Sequence, residues 1–250
     1  MRVFAISDIH VDYEKNRQWV AELSSSDYHD DVLVLAGDIS DSLSRLAWTL
    51  TAMARRFKNV LFVPGNHELW VIRDDKRMTS LAKFDRVRMV VEESGCSMKS
   101  LASRSVRIVP LLGWYDYSFG EPSDELRDIW MDYRACRWPG CMNEDQIAAH
   151  FAARNEIRCD SSNTTTITFS HFLPRVDVMS TWVPKVLYPV LGSARLEHEL
   201  RLLQATVHIY GHSHINHCVR IDGVTYVNNA LGYPQETRFS SKRLLCVLEI

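Results

Sequence analysis

The sequence lacks the features that mark several large classes of protein. It has no apolar run that approaches the ~20 residues of a membrane-spanning helix, and no internal repeat or low-complexity tract. Its 29 Lys and Arg residues nearly balance its 31 Asp and Glu residues, and the net charge of −2 gives no electrostatic reason to expect nucleic acid or an anionic membrane as a partner. A strand-like stretch follows Met1 directly and leaves no room for a signal peptide, so we expect a cytoplasmic protein.

Paired cysteine motifs are also missing. The chain has six cysteines and no CxxC pair, a pattern that predicts reduced thiols at Cys96, Cys136, Cys141, Cys159, Cys218 and Cys246. Cys246 lies in an apolar stretch at 244–248, where we expect it in the core of a strand. The alternative for Cys136 and Cys141 is a zinc site completed by ligands from elsewhere in the chain.

Strand-like and helix-like stretches alternate through the first part of the chain, which is the pattern of an α/β fold. At 250 residues with 46% hydrophobic content, the chain fits a single domain, 1–250, with a sizeable core. The predicted strands are 2–6, 32–35, 59–63, 104–112, 164–169, 206–210, 218–221, 224–228 and 244–248. The predicted helices are 43–57, 76–93, 143–159 and 194–205. Asp222-Gly223 predicts a tight hairpin between two of these strands.

Residues 116–140, called the aromatic segment below, break this alternation. The segment shows no periodicity, and it contains Tyr117, Phe119, Trp130, Tyr133 and Trp138. Long irregular insertions in compact domains are usually functional or disordered, and so many aromatic residues argue against disorder. We therefore predict an irregular insertion that folds over one side of the functional site.

Five short motifs carry most of the functional information. Each follows a predicted strand and contains side chains that bind metals: Asp8-Ile9-His10, Gly37-Asp38-Ile39-Ser40-Asp41, Gly65-Asn66-His67-Glu68, Ser170-His171 and Gly211-His212-Ser213-His214. Any one of them alone is more simply explained as a turn, a helix cap or a solvated strand end. Because α/β sheets gather the carboxyl ends of their strands, the five together predict one site. The other five histidines, His29, His150, His198, His208 and His217, lie outside these motifs and are expected to be structural or exposed.

The side chains in these motifs suit divalent cations. Carboxylate and imidazole groups are ligands for hard or borderline metal ions, and a pair of ions needs at least one bridging oxygen. Asp8 and His10 are two residues apart, so an extended backbone would point both to one side, and the same holds for His212 and His214. The sequence thus predicts a site for two divalent ions.

In order, the motifs match the pattern DxH, GDxxD, GNH(D/E), a lone His and GHxH, and the chain therefore resembles the calcineurin-like metallophosphoesterases. The resemblance implies an α/β fold of two packed mixed β-sheets flanked by helices, a four-layer α/β/β/α sandwich. It also implies one metal ion at Asp8, His10 and His214 and another at Asn66, His171 and His212, with Asp38 bridging both.

Two further roles come from the same resemblance. His67 would face the substrate phosphate, and Asp41 would hydrogen-bond to His67 and orient it in its cationic form. In the protein phosphatases of the family the GDxxD motif continues with Arg-Gly, and that arginine helps to hold the phosphate. Here Ser42 and Leu43 take those places, which weakens the case for a protein phosphatase.

The predicted function is a dinuclear, metal-dependent phosphoesterase that hydrolyses phosphomonoesters or phosphodiesters of small molecules. Two cations about 3.5–4 Å apart can acidify a bridging water to hydroxide and clamp the phosphoryl oxygens. The ligand set admits Mn, Fe, Zn, Ni or Mg. The alternatives are a metal-dependent nuclease, which the acidic balance disfavours, and a noncatalytic scaffold, which the complete ligand set and the retained His67 disfavour.

Candidate substrate-binding residues are less sharply defined. Trp114 and Tyr115 follow a predicted strand and precede the aromatic segment, so they could lie beside the metal ligands or simply pack in the core. Arg134 could offer a guanidinium group to a second phosphate or carboxylate, although such arginines more often pack on the surface.

Overall fold

The computed structural model describes residues 1–74, 77–158 and 165–250. The strands are β1 (Arg2–Ile6), β2 (Val32–Ala36), β3 (Asn59–Val63), β4 (Leu101–Ala102), β5 (Val106–Pro110), β6 (Thr165–Phe169), β7 (Val207–Tyr210), β8 (His217–Ile221), β9 (Val224–Asn228) and β10 (Leu245–Glu249). The α-helices are α1 (Glu14–Glu22), α2 (Leu43–Ala54), α3 (Ser80–Glu93), α4 (Asp124–Ile129), α5 (Asp132–Ala135), α6 (Glu144–Ala152) and α7 (Ala194–Leu202). Short 3-10 helices cover His67–Leu69, Pro139–Cys141, Val176–Val178 and Lys185–Val190.

The strands form two mixed sheets. The first sheet has the order β10-β1-β2-β3, in which β1, β2 and β3 are parallel and β10 runs antiparallel at the edge. The second sheet has the order β4-β5-β6-β7-β9-β8, with the four central strands parallel and an antiparallel strand at each edge. Because the central strands of each sheet are parallel, their carboxyl ends collect at one edge.

The sheets pack face to face and are covered by helices on their outer faces. Alternate residues of each central strand point inward, so Val3, Val34 and Leu61 of the first sheet share a buried cluster with Ile108 and Ile167 of the second. The opposite faces pack against α1, α2 and α3 on one side, and against α6 and α7 on the other. This arrangement confirms the predicted four-layer α/β/β/α sandwich.

Most predicted elements are present, with shorter helices. The helix predicted at 43–57 ends at Ala54, and the one predicted at 76–93 begins after Thr79, whose side chain caps it; residue 76 lies outside the described residues. The helix predicted at 143–159 begins after the Asn143 capping box and ends at Ala152. Beyond this helix, Oδ1 of Asn155 accepts from the backbone N–H of Leu112 at 2.8 Å, and Nδ2 of Asn155 donates to the Leu112 carbonyl at 2.9 Å. Residues 159 and 164 of the predicted elements are outside the described part of the chain.

Two sequence predictions need correction. Cys246 is exposed rather than in the core, because β10 is an edge strand with one side open to solvent. The aromatic segment is not irregular throughout, since it contains α4 and α5, which begin at acidic residues and are too short to show periodicity. The hairpin at Asp222 and Gly223 is confirmed, with positive φ at both residues.

The described cysteines, Cys96, Cys136, Cys141, Cys218 and Cys246, are free, as predicted; Cys159 falls outside the description. Within residues 1–74, 77–158 and 165–250, neither Cys136 nor Cys141 joins a cluster that could hold a metal, so the zinc alternative has no support there.

Over the same ranges, no helix has the length and apolar character needed to span a bilayer.

Candidate metal centre

All five motifs lie at the carboxyl ends of parallel strands, at the edge where the strands of both sheets end close together. Backbone hydrogen bonds join neighbouring motifs: Asp8 donates to Gly37 at 2.9 Å, and His10 donates to Asp38 at 3.0 Å. Within the second sheet, Gly211 after β7 donates to the carbonyl of His171 after β6 at 2.9 Å. The motifs are thus fixed to one another by main-chain contacts before any ligand chemistry is considered.

The side chains form two clusters that share one carboxylate. In the first cluster, ligand atoms of Asp8, His10, Asp38 and His214 all lie within 4.8 Å of one another. Nε2 of His10 and Nε2 of His214 are 3.0 Å apart, and Nε2 of His214 is 3.3 Å from Oδ1 of Asp8. Such convergence of imidazole and carboxylate lone pairs is the donor set that a divalent cation requires.

The second cluster contains Asp38, His171 and His212, whose ligand atoms lie within 4.8 Å of one another. Nε2 of His171 is 3.0 Å from Nδ1 of His212, 3.1 Å from Oδ1 of Asn66 and 3.5 Å from Oδ2 of Asp38. Asp38 belongs to both clusters, so the residues fit two ions with a carboxylate between them.

Hydrogen bonds on the outer side of each ring select the nitrogen that faces the centre. Nδ1 of His171 donates to the carbonyl of Ala36 at 2.8 Å, and Nε2 of His212 donates to the carbonyl of Val190 at 3.0 Å. Nδ1 of His214 lies 2.8 Å from the Glu236 carboxylate. In His171 and His212 the opposite nitrogen is left with its lone pair toward the cluster, as metal-binding histidines require, whereas Asp8 and Glu236 raise the pKa of His214 to about 9.

Burial sets the charge state of the centre. It lowers the pKa of His10 and His212 well below the usual value, and it lowers the pKa of His171 as well, which keeps these rings neutral and able to act as ligands. Burial and the nearby carboxylates of Glu68 and Asp8 raise the pKa of Asp38 well above its usual value. A carboxylate in this setting gains stability from neighbouring positive charge.

The backbone at the centre is unusual for residues other than glycine. Five residues of the two clusters have positive φ: Asp8 (51°), His10 (44°), Asp38 (56°), His212 (68°) and His214 (55°). Left-handed backbone at non-glycine residues is uncommon and concentrates at functional sites. A chain held in this conformation at five positions needs strong local support.

Part of that support comes from Glu68, whose separate role the third motif does not indicate. Its buried carboxylate accepts hydrogen bonds from the backbone N–H groups of Gly65 (2.7 Å), Asp38 (2.9 Å), Ile39 (2.7 Å) and Ser40 (3.0 Å). A Cβ on Gly65 would lie only 2.1 Å from Oδ1 of Asp38, so no side chain fits there. The glutamate therefore ties the second motif to the third at their closest approach.

His67 lies at the edge of the first cluster, and its side chain is 16% exposed. Its Nε2 is 3.7 Å from Oδ2 of Asp38, and its ring stacks on Trp70 with centroids 3.7 Å apart. Burial and nearby His171 lower the pKa of His67 to about 3, so its ring is neutral here, in contrast to the predicted cationic form.

The predicted hydrogen bond between Asp41 and His67 is not formed. Oδ2 of Asp41 instead lies 3.0 Å from Nε of Arg73, and Oδ1 is buried with no hydrogen-bond partner among the residues described. The sequence pattern could not show this, because Arg73 reaches Asp41 from outside the motifs. An arginine is thus present next to Asp41 although Ser42 replaces the one expected in protein phosphatases.

A groove of about 240 Å³ opens onto the centre. Its polar lining residues are Asp38, Asn66, His67, His212, Ser213, His214, Tyr233 and Glu236. Its apolar lining residues, called the apolar wall below, are Trp130, Val183, Pro184, Leu187, Leu191 and Ile215. Trp130 belongs to the aromatic segment, which therefore borders the site.

The predicted substrate-binding residues do not line this groove in the part of the chain that is described. Trp114 and Tyr115 are each 1% exposed and pack on Phe172 in the hydrophobic core, which corresponds to the simpler of the two interpretations. Arg134 is exposed, and its guanidinium donates to the backbone carbonyl of Asp128. Their large apolar rings explain why Trp114 and Tyr115 are buried.

Asp132 is a residue at the site that the sequence did not reveal. Its carboxylate is 2% exposed and accepts hydrogen bonds from Asn66, Trp70 and Trp130. No motif marks it, because it lies in the aromatic segment, more than 60 residues along the chain from Asn66 and Trp70. The one sequence signal that pointed toward Asp132 was the expectation that the aromatic segment lies next to the site.

Comparisons with known proteins agree with this geometry. [Acyl-carrier-protein] phosphodiesterase PptH of Mycobacterium tuberculosis is 27% identical over 261 residues, which cover 94% of this chain and 79% of the relative. The crystal structure of Phosphopantetheinyl Hydrolase (PptH) from the same organism superposes with a TM-score of 0.78 at 26% identity and covers 100% of this chain and 96% of that one. A dimetal phosphatase from Danio rerio, with a TM-score of 0.43 at 16% identity over 91% of this chain and 86% of that one, is too distant to support a conclusion.

The model of the family described as calcineurin-like phosphoesterase matches residues 1–216, most of the chain. Together with the two donor clusters, this match confirms the predicted metal-dependent hydrolase of phosphoric esters that uses two divalent ions. The chain belongs to the calcineurin-like phosphoesterase family.

Proposed function

We propose that this enzyme hydrolyses the phosphodiester that joins a phosphopantetheinyl group to an acyl carrier protein. The proposal takes its substrate from PptH, whose similarity extends over 94% of this chain in sequence and 100% in structure. Its support in this molecule comes from the groove, whose lining combines metal-binding donors with apolar side chains.

The lining of the groove carries the argument. Among its described lining residues there is no lysine or arginine, so the groove offers no cationic partner for a second phosphate. That observation disfavours nucleotides and nucleic acids, whose neighbouring phosphates would need such partners. An uncharged, extended arm next to a single phosphodiester matches the apolar wall much better.

The size of the groove is also consistent with a carrier-bound substrate. A volume of about 240 Å³ is too small for a folded protein but admits a flexible arm. On this proposal the carrier protein stays at the rim, while its prosthetic arm places the phosphodiester against the two clusters. The small-molecule phosphoesters predicted from the sequence are the second candidate, because the same narrow groove would accept them.

We assign the residues as follows. Asp8, His10 and His214 hold one ion, Asn66, His171 and His212 hold the other, and Asp38 is shared. When bound, the two ions neutralise charge on the phosphoryl oxygens and acidify water for attack on phosphorus.

His67 acts on the leaving oxygen in this proposal. Its neutral ring is fixed by stacking on Trp70, and its backbone N–H donates to Oδ1 of Asp38 at 3.0 Å. From this position the ring N–H can donate a hydrogen bond to the leaving oxygen of the carrier protein as the bond to phosphorus breaks.

The test is direct hydrolysis of a phosphopantetheinylated acyl carrier protein by the metal-loaded enzyme, followed by mass spectrometry of the carrier. We expect the carrier to lose the phosphopantetheinyl group, and His67→Ala to abolish most of the loss. Hydrolysis of bis(nitrophenyl) phosphate with an unchanged carrier would reject the carrier substrate and favour the small-molecule alternative.

A further inference from the structure

The carboxylate of Asp132 is surrounded by hydrogen-bond donors from three parts of the chain. Its Oδ1 accepts from Nδ2 of Asn66 at 2.9 Å and from Nε1 of Trp70 at 2.7 Å. Its Oδ2 accepts from Nε1 of Trp130 at 2.8 Å. All three donors are neutral, so no cation among them offsets the burial that raises the pKa of Asp132. A carboxylate buried in this way costs stability, which points to a purpose other than stability.

The contact with Asn66 suggests that purpose. An asparagine side chain has a donating end and an accepting end, and only the oxygen can bind a metal ion. A carboxylate can only accept, so the hydrogen bond at 2.9 Å fixes the NH2 group of Asn66 on Asp132. The Asn66 oxygen is then turned toward the second cluster, where it lies 3.1 Å from Nε2 of His171.

We propose that Asp132 is a positioning residue that fixes the Asn66 amide with its oxygen toward the second cluster. The two indole donors hold the carboxylate in place: Trp70 follows β3, and Trp130 comes from the aromatic segment. The aromatic segment thereby shapes the metal centre through Asp132, in addition to bordering the groove. This role does not depend on the identity of the substrate.

The effect should be confined to one ion, because Asn66 contacts the second cluster. We would dialyse Mn²⁺-loaded protein against a series of chelator-buffered free Mn²⁺ concentrations and measure manganese per chain. For Asp132→Ala, we expect one ion to be lost at a free Mn²⁺ concentration about 10- to 100-fold higher than in the wild type, the usual effect of removing a partner of a metal ligand. The other ion should be retained as in the wild type.

The matched control is Asp128→Ala, an exposed aspartate of the same segment, which should leave both ions unchanged. If Asp132→Ala does not fold, the same series is run with Asp132→Asn, which keeps the size of the side chain. Because an amide has only one accepting oxygen for donors on two sides, this variant should also weaken the same ion. An Asp132→Asn protein that binds both ions like the wild type would reject the proposal.

A double-mutant comparison separates positioning from general stability. Asn66→Ala alone should weaken the same ion, and adding Asp132→Ala should cause no further loss, because no amide remains to be oriented. An equal weakening of both ions by Asp132→Ala would contradict the proposal, as would a further loss in the double mutant. Normal binding of both ions by Asn66→Ala would overturn the assignment of Asn66 as a ligand and, with it, the role of Asp132.

Discussion

Three of the histidines in the two clusters are held through the ring nitrogen that faces away from the centre. His171 and His212 donate to backbone carbonyls, and His214 lies against a carboxylate. These contacts fix both the tautomer and the rotation of each ring, so little reorganisation is needed when an ion binds. The ligands are therefore arranged by the fold itself.

Asp38 is the residue whose loss should affect both ions. It is shared by the two clusters, so Asp38→Ala removes one donor from each. We expect metal analysis of the purified variant to find weakened binding of both ions, and the exposed Asp30→Ala to serve as the unaffected control. Two tightly bound ions per chain in Asp38→Ala would refute the shared assignment.

His67 should separate chemistry from metal binding. Its ring Nε2 lies 3.7 Å from Asp38 and belongs to neither cluster, and its backbone N–H, which donates to Asp38, is kept in the variant, so His67→Ala should keep both ions. Turnover should fall by about 10²–10⁴-fold, the usual contribution of a positioned acid or base. The exposed His29→Ala is the control.

The same variant reports on the leaving group. Nitrophenolate leaves readily without a proton, so the loss for nitrophenyl esters should be smaller than the loss for alkyl esters. Comparison of kcat/KM for the two ester types provides the measurement. Equal losses would show that His67 does not act on the leaving oxygen.

Among the structural elements, the strands and their ends could be predicted from the local sequence, whereas the contacts between distant segments could not. Residues 2–6, 32–35 and 59–63 are nearly continuous apolar runs, and each is followed at once by polar motif residues, so both the strands and their functional ends follow from local sequence. Helices α4 and α5 escaped prediction because they are too short to display a repeating apolar face.

The partners of Asp41 and Asn66 show where local patterns fail. Asp41 is paired with Arg73, and Asn66 is paired with Asp132, which is 66 residues away along the chain. Neither partner belongs to a motif, and both pairings depend on how a connecting segment packs after the sheets have formed. A resemblance carried by motifs therefore indicates the residues of the two clusters but not the residues that orient them.

The 3-10 helix Lys185–Val190 and the residues before it present one face to the groove and another to solvent. Val183 and Pro184 line the groove, whereas their neighbours in sequence, Trp182 and Val186, are 57% and 42% exposed. On the proposed function, these exposed apolar side chains would contact the carrier protein rather than its arm.

Trp182→Ser should thus lower kcat/KM for a phosphopantetheinylated carrier by about tenfold, since an exposed aromatic anchor is typically worth 1–2 kcal/mol in an interface. The rate with bis(nitrophenyl) phosphate should not change. Trp48→Ser is a matched control, because Trp48 is 41% exposed on α2. Equal effects on carrier and small ester would place Trp182 in the groove rather than at a docking rim.

Over the whole molecule, the metal centre lies between the two sheets. Asp8, Asp38 and Asn66 follow strands of the first sheet, whereas His171, His212 and His214 follow strands of the second. Ions bound by both sets would crosslink the sheets in the folded state only, so chelation should lower the thermal unfolding temperature. At a free metal concentration 100 times Kd, one site contributes about 2.7 kcal/mol. An unchanged unfolding temperature after verified metal removal would contradict this linkage.

Glu199 should make folding stability depend on pH. Its side chain is 8% exposed and accepts from Nδ2 of Asn155 at 2.7 Å, and burial raises its pKa to about 7. Between the unfolded value near 4.5 and about 7, the folded state retains a proton that the unfolded chain releases. This contribution is therefore fully present below about pH 4.5 and is lost as the pH rises through 7.

Glu199→Gln removes this titration while keeping an oxygen that can accept from Asn155. Urea unfolding at pH 5.5 and pH 8 should show the variant gaining about 1–3 kcal/mol relative to the wild type at the higher pH. Glu93→Gln, at the exposed end of α3, should show no such gain. A constant difference between Glu199→Gln and the wild type across this range would contradict the raised pKa.

Left-handed backbone at five ligand positions restricts how the family could diverge. Asp8, His10, Asp38, His212 and His214 occupy a conformation that glycine and asparagine adopt at little cost and that other residues resist. A lineage released from catalysis would retain the loops but no longer need imidazole or carboxylate there, so glycine and asparagine should accumulate at these positions first. Descendants that kept this fold as a scaffold would then be recognisable by which residues replaced the ligands, as well as by the loss of the ligands themselves.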